Sequence, residues 1–258
     1  DNGSFNLENQ KINMHHYGII GTPLGHSFSA RYFAQKFAVN HIDADYLLYE
    51  VADIDLVIDT LSQHQLSGCN ITIPYKERIL DKLDYIDPIA KQIGAVNVVK
   101  VEHAHNHTIL KGYNTDWIGF KHSISPLLTA LHTQALVLGT GGAAKAIAYA
   151  LEQMNIQVTF VSRDPNKGIV YDALDNLCIR KHKIIVNCTP VGMHPNENEC
   201  PNIPYDSLTH QHLVYDCTYN PDETLFLRKA KQKGATTKNG LEMLYIQADE
   251  AWKIWNKI

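Results

Sequence analysis

The segment Ala135-Leu136-Val137-Leu138 followed by Gly139-Thr140-Gly141-Gly142-Ala143-Ala144 constrains this chain more than any other stretch. A short apolar run bounded by turn residues fits a strand buried on both faces. The glycines permit a tight turn, and AKAIAYALEQM then opens as a helix. Strand, glycine turn and helix in that order make the G-x-G-x-x-G/A arrangement. Its glycines let backbone approach a pyrophosphate closely, and the helix N-terminus offers N–H donors and partial positive charge. The small Ala144 lets the helix lie close on the strand. Gly139, Thr140, Gly141, Gly142 and Ala143 are therefore expected to touch a dinucleotide; the alternative is a glycine turn that merely packs a helix.

Around this unit strand-like and helix-like segments alternate, which predicts an α/β protein. YGIIG (17–21), ADYLLYEV (44–51) and CNITI (69–73) read as strands, with helices at 29–40 and 53–63. Pro74 suits the first turn of a further helix. AVNVVKVE and TILKGYN read as a hairpin around the polar tip HAHNH. A long helix is expected from Asp116 to about His132, kinked or broken at Pro126. Beyond it ALVLG, QVTFVSR, KIIVNCT and HLVYDCTY predict a parallel sheet. The expected architecture is a two-domain one with an active-site cleft between the domains. Residues 14–115 form an N-terminal α/β substrate domain, 116–238 a Rossmann-like dinucleotide-binding domain, and 239–258 a helix packing back on the first.

A formal charge of -4 and the absence of any basic stripe argue against a nucleic-acid partner. No apolar run approaches the roughly 20 residues that cross a bilayer. The cysteines, Cys69, Cys178, Cys188, Cys200 and Cys217, are scattered without a C-x-x-C pair and are expected to be small buried thiols in a reducing compartment. The polar opening lacks a signal peptide's apolar stretch, so the protein is expected to be cytoplasmic, starting naturally at Met14. His15 and His16 then read as leader sequence ahead of the first strand. His103, His105 and His107 alternate, which on a strand would share one face; a solvated hairpin tip is the favoured reading, and no metal is expected.

The strand QVTFVSR should end beside the adenosine ribose, where Ser162, Arg163, Asp164 and Lys167 cluster. Arg163 suits a 2′-phosphate through its planar fork, and Lys167 adds charge. Asp164 points the other way, since an acid there binds the ribose hydroxyls of NAD and repels a phosphate. NADP is favoured, with NAD as the alternative.

Polar groups also gather in HSFS (26–29), CNITIPYKE (69–77), GAVN (94–97) and GYNTD (112–116). Taken singly, Ser29 reads as a helix N-cap, Asn97 as a turn residue, Asp116 as the cap of the long helix and Lys76 as an exposed first-turn lysine. Together, with Asn70-Ile71-Thr72-Ile73-Pro74-Tyr75-Lys76, Asn187-Cys188-Thr189-Pro190-Val191-Gly192-Met193, Asp216-Cys217-Thr218-Tyr219-Asn220-Pro221 and the block from Gly240 to Ala248, they resemble the shikimate dehydrogenase family from about residue 17 to 255. The resemblance implies reversible NADP-dependent reduction of 3-dehydroshikimate to shikimate, on the pathway to chorismate and aromatic amino acids, by a monomer or homodimer. It implies Lys76 as catalytic lysine and Asp116 as its partner. Ser27 and Ser29 would hold the substrate carboxylate with Tyr219 nearby; Thr72, Asn97 and Gln247 would bind ring hydroxyls, and Asn70 would support the loop. Cys217 and Gly240 would fall at the cofactor, and Met243 by the nicotinamide. The chain departs from the family pattern at Ala30, Val98 and Trp117, and at Ser162 and Asp164, which bear on cofactor choice.

On this reading Lys76 exchanges the proton that accompanies hydride transfer. Its expected place in a helix first turn would weaken its hold on that proton, and Asp116 would strengthen it. The competing readings are a quinate/shikimate dehydrogenase using NAD or both cofactors, and a nicotinamide-binding sensor without turnover. The Lys76 and Asp116 pair speaks against the sensor.

Overall fold

The computed structural model describes residues 14–25, 27–104 and 107–256. In the first half lie β1 (His15–Gly21), α1 (Phe28–Asn40), β2 (Ala44–Glu50), α2 (Asp55–Gln63) and β3 (Leu66–Ile71). They are followed by β4 (Tyr85–Ile86), α3 (Pro88–Ile93), β5 (Val98–Ala104) and β6 (His107–Tyr113). The second half holds α4 (Asp116–Ile124), β7 (Gln134–Leu138), α5 (Gly142–Glu152), β8 (Gln157–Val161) and α6 (Asn176–Lys181). It continues with β9 (Ile184–Asn187), β10 (Leu213–Asp216), α7 (Leu225–Gln232), β11 (Thr236–Lys238) and α8 (Leu241–Asn256).

The first sheet has the order β2-β1-β3-β5-β6-β4. Its β1, β2 and β3 run parallel, while β5 pairs antiparallel with both β3 and β6. From β1 the chain passes to β2 on one side and then to β3 on the other, so the direction of winding reverses between β1 and β3. The second sheet, β11-β10-β9-β7-β8, is parallel throughout. There the reversal lies between β7 and β9, with β8 outside β7. In open α/β sheets such reversals leave a crevice at the carboxyl ends of the strands, where ligands bind.

Local chemistry explains the element ends nearest these crevices. Asp87 caps α3 by accepting from the Ile89 and Ala90 amides, Pro88 opens it, and Gly94 closes it at φ 75°. Asn114 accepts from the Asp116 and Trp117 amides and so fixes the start of α4. Each apolar face then finds its layer. Val57 and Leu61 of α2 pack with Ile20, Leu66 and Ile71, whereas Phe33 and Phe37 of α1 meet Tyr17, Val98 and Trp255 on the opposite face. In the second half Ile147 and Leu151 of α5 join Val137 and Val186, and Phe226 and Leu227 of α7 join Leu136 and Val214.

The last helix α8 touches both halves. Met243 lies in the core of the second sheet, and Ala248, Ala251 and Trp255 lie in the core of the first. Trp255 stacks on Tyr17 with centroids 4.9 Å apart and donates to the Val99 carbonyl at 3.0 Å. Gly119 lets α4 approach α8 closely, since a Cβ there would meet the Met243 carbonyl at 2.5 Å.

Several expectations are corrected. The long helix stops at Ile124 and passes into a 3-10 turn over Ser125–Leu127, because Pro126 lacks an amide hydrogen and its ring clashes with the preceding turn. No α-helix follows Pro74: residues 73–77 form turns, and a 3-10 helix runs from Arg78 to Lys82. His15 and His16 are the first residues of β1, paired with Ala44 and Asp45. Only Cys69 of the cysteines is fully buried, and all are free thiols. His105 and His26 lie outside the described residues, and among the described residues no cluster of three metal-ligating side chains occurs. Among them, too, no helix is long and apolar enough to cross a membrane.

Candidate active site

A cavity of about 750 Å³ opens at the β7/β9 crevice. Its walls come from the glycine turn after β7, the loop Ser162–Lys167 after β8, and Cys188, Thr189, Pro190 and Val191 after β9. Gly139 has φ 105°, a conformation that costs glycine little and other residues much. A Cβ on Gly141 would meet nothing within 4 Å, whereas one on Gly142 would sit 2.8 Å from the Lys76 Cβ. The glycine turn thus leaves open space on one side and touches the first half of the chain on the other.

Lys76 lines the same cavity. Its Nζ lies 2.6 Å from the Asp116 Oδ2, with both side chains largely buried. The backbone holds the lysine from behind, because the Val96 amide donates to the Lys76 carbonyl at 2.8 Å. The neighbouring Glu77 meets Lys145 of α5 at 2.5 Å, a second tie between the two halves. Lys76 stands in a turn and not, as expected, in the first turn of a helix.

Asn97 is the hub behind the pair. Its Nδ2 donates to the Asp116 Oδ1 at 2.9 Å and to the Thr115 Oγ1 at 3.0 Å, with the Gln247 Oε1 at 3.4 Å. Its Oδ1 accepts from the Thr115 amide at 2.7 Å. Each oxygen of the Asp116 carboxylate therefore has its own donor, which fixes the plane of the group. Asn114 ties this assembly to GAVN by donating to the Ala95 carbonyl. The second chain of polar contacts runs from the Tyr46 hydroxyl, which burial pushes above its ordinary range. It donates to the Asn70 Oδ1 at 2.7 Å, and the Asn70 amide donates to the Asn97 carbonyl at 3.3 Å.

The structure brings Lys76, Asp116, Asn97 and Gln247 into direct contact, with Asn70 linked to them through the Asn97 backbone. Ser27, and not Ser29, is the residue preceding α1; Ser29 is buried inside it. Tyr219 meets Phe28 edge-on at 5.7 Å, which sets the loop after β10 against the start of α1. Thr72 follows β3, its amide bonded to the Ile20 carbonyl and its carbonyl accepting from the Tyr75 amide in the turn that carries Lys76. Asp116 is the first residue of α4, preceded by Thr115, so it serves the lysine and does not cap the helix.

Gly139, Thr140, Gly141, Gly142, Ala143, Ser162, Arg163, Asp164 and Lys167 all line the cavity. Cys217, Gly240 and Met243 do not. Gly240 packs against the Cys217 carbonyl, and Met243 lies in the second core, because both help seat α8. The Cys217 sulfur sits 3.8 Å from that of Cys188, which does line the cavity, and that contact first, then burial, pushes the Cys217 thiol up. Tyr171, Thr189, Pro201 and Asn202 also line the cavity without having been singled out by sequence. For Thr189 the signal was present in Asn187-Cys188-Thr189, where the Asn187 Oδ1 accepts from both the amide and the hydroxyl of Thr189. Asn187 also donates to Asp216, which accepts from the Thr218 amide and the Thr224 hydroxyl and so ties the loops after β9 and β10 together.

Residues 19–99 match the family model for the shikimate dehydrogenase substrate binding domain. The shikimate dehydrogenase (NADP(+)) of Aquifex aeolicus is 38% identical over 252 residues, covering 93% of this chain and 90% of that protein. The enzyme of the same name from Methanococcus maripaludis is 37% identical over 260 residues, with 92% and 90% covered. Among solved structures, shikimate 5-dehydrogenase from Thermus thermophilus in complex with NADP(H) and shikimate superposes with a TM-score of 0.83. It is 30% identical, with 95% of this chain and 94% of that one covered.

Proposed function

The chain belongs to the shikimate dehydrogenase family, and from that premise we propose that it interconverts 3-dehydroshikimate and shikimate with NADP as hydride carrier. The observation that carries the reading is the position of Lys76. Its ammonium is 2.6 Å from Asp116, and its side chain lines the cavity of the glycine turn with Gly142 against its Cβ. A dehydrogenase needs a proton-transfer group at the place where hydride moves, and a binding module has no use for one.

The residues of the cavity fit a dinucleotide. Gly141 leaves open space at the N-terminus of α5, where amide donors favour a pyrophosphate. Arg163 and Lys167 supply positive charge at the far wall. Ser162 anchors the loop that carries them by accepting from the Asp164 amide. Bound there, NADP supplies or accepts the hydride.

Lys76 donates a proton to the ring ketone oxygen during reduction and takes it back during oxidation, a role worth about 10²–10⁴-fold. Asp116 holds the ammonium in place, and Asn97 holds Asp116. Ser27 and Ser29 bind the substrate carboxylate as neutral donors, with Tyr219 closing the site above α1. Thr72, Asn97 and Gln247 bind ring hydroxyls, and Asn70 supports Asn97 through its carbonyl. The domains divide at residues 14–115, 116–238 and 239–258, which puts the substrate on the first and NADP on the second. The chain acts in the cytoplasm as a monomer or homodimer on a small-molecule substrate. The formal charge of -4 supports the absence of a nucleic-acid partner.

The test follows reduced-nicotinamide absorbance with shikimate and NADP⁺, then with quinate, then with NAD⁺. Turnover fastest with shikimate and NADP⁺ is expected. Binding of NADP⁺ without turnover on either acid refutes the enzymatic reading, and equal turnover with NAD⁺ refutes the cofactor choice.

A further inference from the structure

The loop after β8 poses a charge problem that its own hydrogen bonds resolve. An acid at the end of the second strand of a dinucleotide fold grips ribose hydroxyls and repels a 2′-phosphate. Asp164 stands there, on the wall of the cavity, between Arg163 and Lys167. Its carboxylate is turned onto its own loop: Oδ1 accepts from the Asn166 amide at 2.9 Å and from the Asn166 Nδ2 at 3.1 Å. The backbone is fixed at both ends of the turn, with the Asp164 amide on the Ser162 hydroxyl at 3.0 Å and the Lys167 amide on the Asp164 carbonyl at 3.0 Å. Ser162 is itself buried, so this frame is anchored to the strand end. Among the described residues no carboxylate comes within ion-pair distance of Arg163 or Lys167, although one is the adjacent residue. Two cations are thereby left facing the cavity while the nearest acid is engaged by neutral donors.

We propose that Asn166 is a specificity-determining positioning residue that selects a 2′-phosphorylated dinucleotide by holding the Asp164 carboxylate on the loop. This rests on the reading of the cavity as an NADP site. Without the Asn166 side-chain amide the carboxylate keeps only the backbone N–H donor and turns more readily toward Arg163 or the ribose position, and both moves weaken phosphate binding while sparing an unphosphorylated ribose. Asn166 itself does not line the cavity.

Calorimetric titration of the folded full chain with 2′,5′-ADP and with 5′-ADP separates these effects. The wild type is expected to bind 2′,5′-ADP more tightly. Asn166→Ala is expected to weaken 2′,5′-ADP about five-fold, the equivalent of one hydrogen bond, and to leave 5′-ADP unchanged or tighter. In an Asp164→Ala background the same substitution is expected to have no further effect. A purely structural role for Asn166 would weaken both probes together and would persist without Asp164; either result overturns the proposal. An unchanged preference in Asn166→Ala overturns it as well. A wild type that does not distinguish the probes instead refutes the NADP reading on which the proposal stands.

Discussion

Substituting Gly142 by alanine tests whether the glycine turn and the turn that carries Lys76 are mechanically one site. An added Cβ would lie 2.8 Å from the Lys76 Cβ, 3.2 Å from the Ala95 Cβ and 3.4 Å from the Lys76 Cδ. Comfortable carbon contacts begin near 3.5 Å, so about 0.7 Å of movement is needed at the closest contact. Ala95 cannot give way, because it is fully buried with Ile93 and Ala146. The displacement falls on the turn that carries Lys76, whose carbonyl is also held by the Val96 amide. Misplacing a reacting group by about 1 Å costs on the order of 10²-fold in rate. Overpacking costs about 1–3 kcal/mol of stability, partly offset by alanine's helix preference of up to ~1 kcal/mol over glycine. Turnover is therefore the cleaner readout. Gly142→Ala is expected to lower kcat about 10²-fold at saturating shikimate and NADP⁺. Gly141→Ala is the control, since its Cβ meets no protein atom within 4 Å and its φ of -80° suits any residue. It is expected to keep wild-type stability in urea and to raise the KM for NADP⁺, because its methyl enters the space open to the pyrophosphate. A Gly142→Ala enzyme with kcat within two-fold of wild type would refute the coupling.

Lys76→Ala is expected to lower kcat/KM about 10²–10⁴-fold while 2′,5′-ADP binds with wild-type Kd in calorimetry; near-normal turnover would remove the lysine from the mechanism. Burial pushes the Asp216 carboxyl above the usual aspartate range, against the hydrogen bonds it accepts. Its stabilising contribution is therefore fully present below the ordinary aspartate value and is lost as pH rises through the raised one. The Tm of Asp216→Asn relative to wild type should accordingly move in the variant's favour as pH is raised from about 4, and a flat or opposite trend contradicts that sign. Trp255→Ala empties a buried site against Tyr17 and leaves the Val99 carbonyl without its indole donor. Urea unfolding should show a loss of about 3–5 kcal/mol, and a loss below about 1 kcal/mol would mean that α8 is held elsewhere.

Much of the second sheet was legible because its signals are local. A buried parallel strand advertises itself as an apolar run, so ALVL, QVTFV, KIIVN and HLVYD were readable as they stand. The glycine turn was readable for the same reason, since each residue of the motif acts on its immediate neighbours. The errors fell where one local rule competed with another. Pro74 resembles a helix-opening proline, yet the chain turns there and winds only a 3-10 helix from Arg78. The break at Pro126 was legible, but the pattern beyond it resembles helix continuing to about His132, where the chain winds only a 3-10 turn over Ser125–Leu127. His15 and His16 carry no strand signal, and only their pairing with Ala44 and Asp45 makes them part of β1. Pro201 and Asn202 reach the cavity from a segment distant in sequence, and Tyr171 from the start of a 3-10 turn four residues past Lys167.

The amino-acid order by itself determined the alternation of strands and helices, the turn able to hold a pyrophosphate, and the polar blocks that match the family. These follow from backbone preference and from side-chain pattern over a few residues. Only the tertiary structure decided that Lys76, Asn97, Asp116 and Gln247 meet, and that Lys76 lies against Gly142. Such contacts depend on where whole sheets and helices come to rest against one another, a balance of packing over the entire chain that no short segment carries.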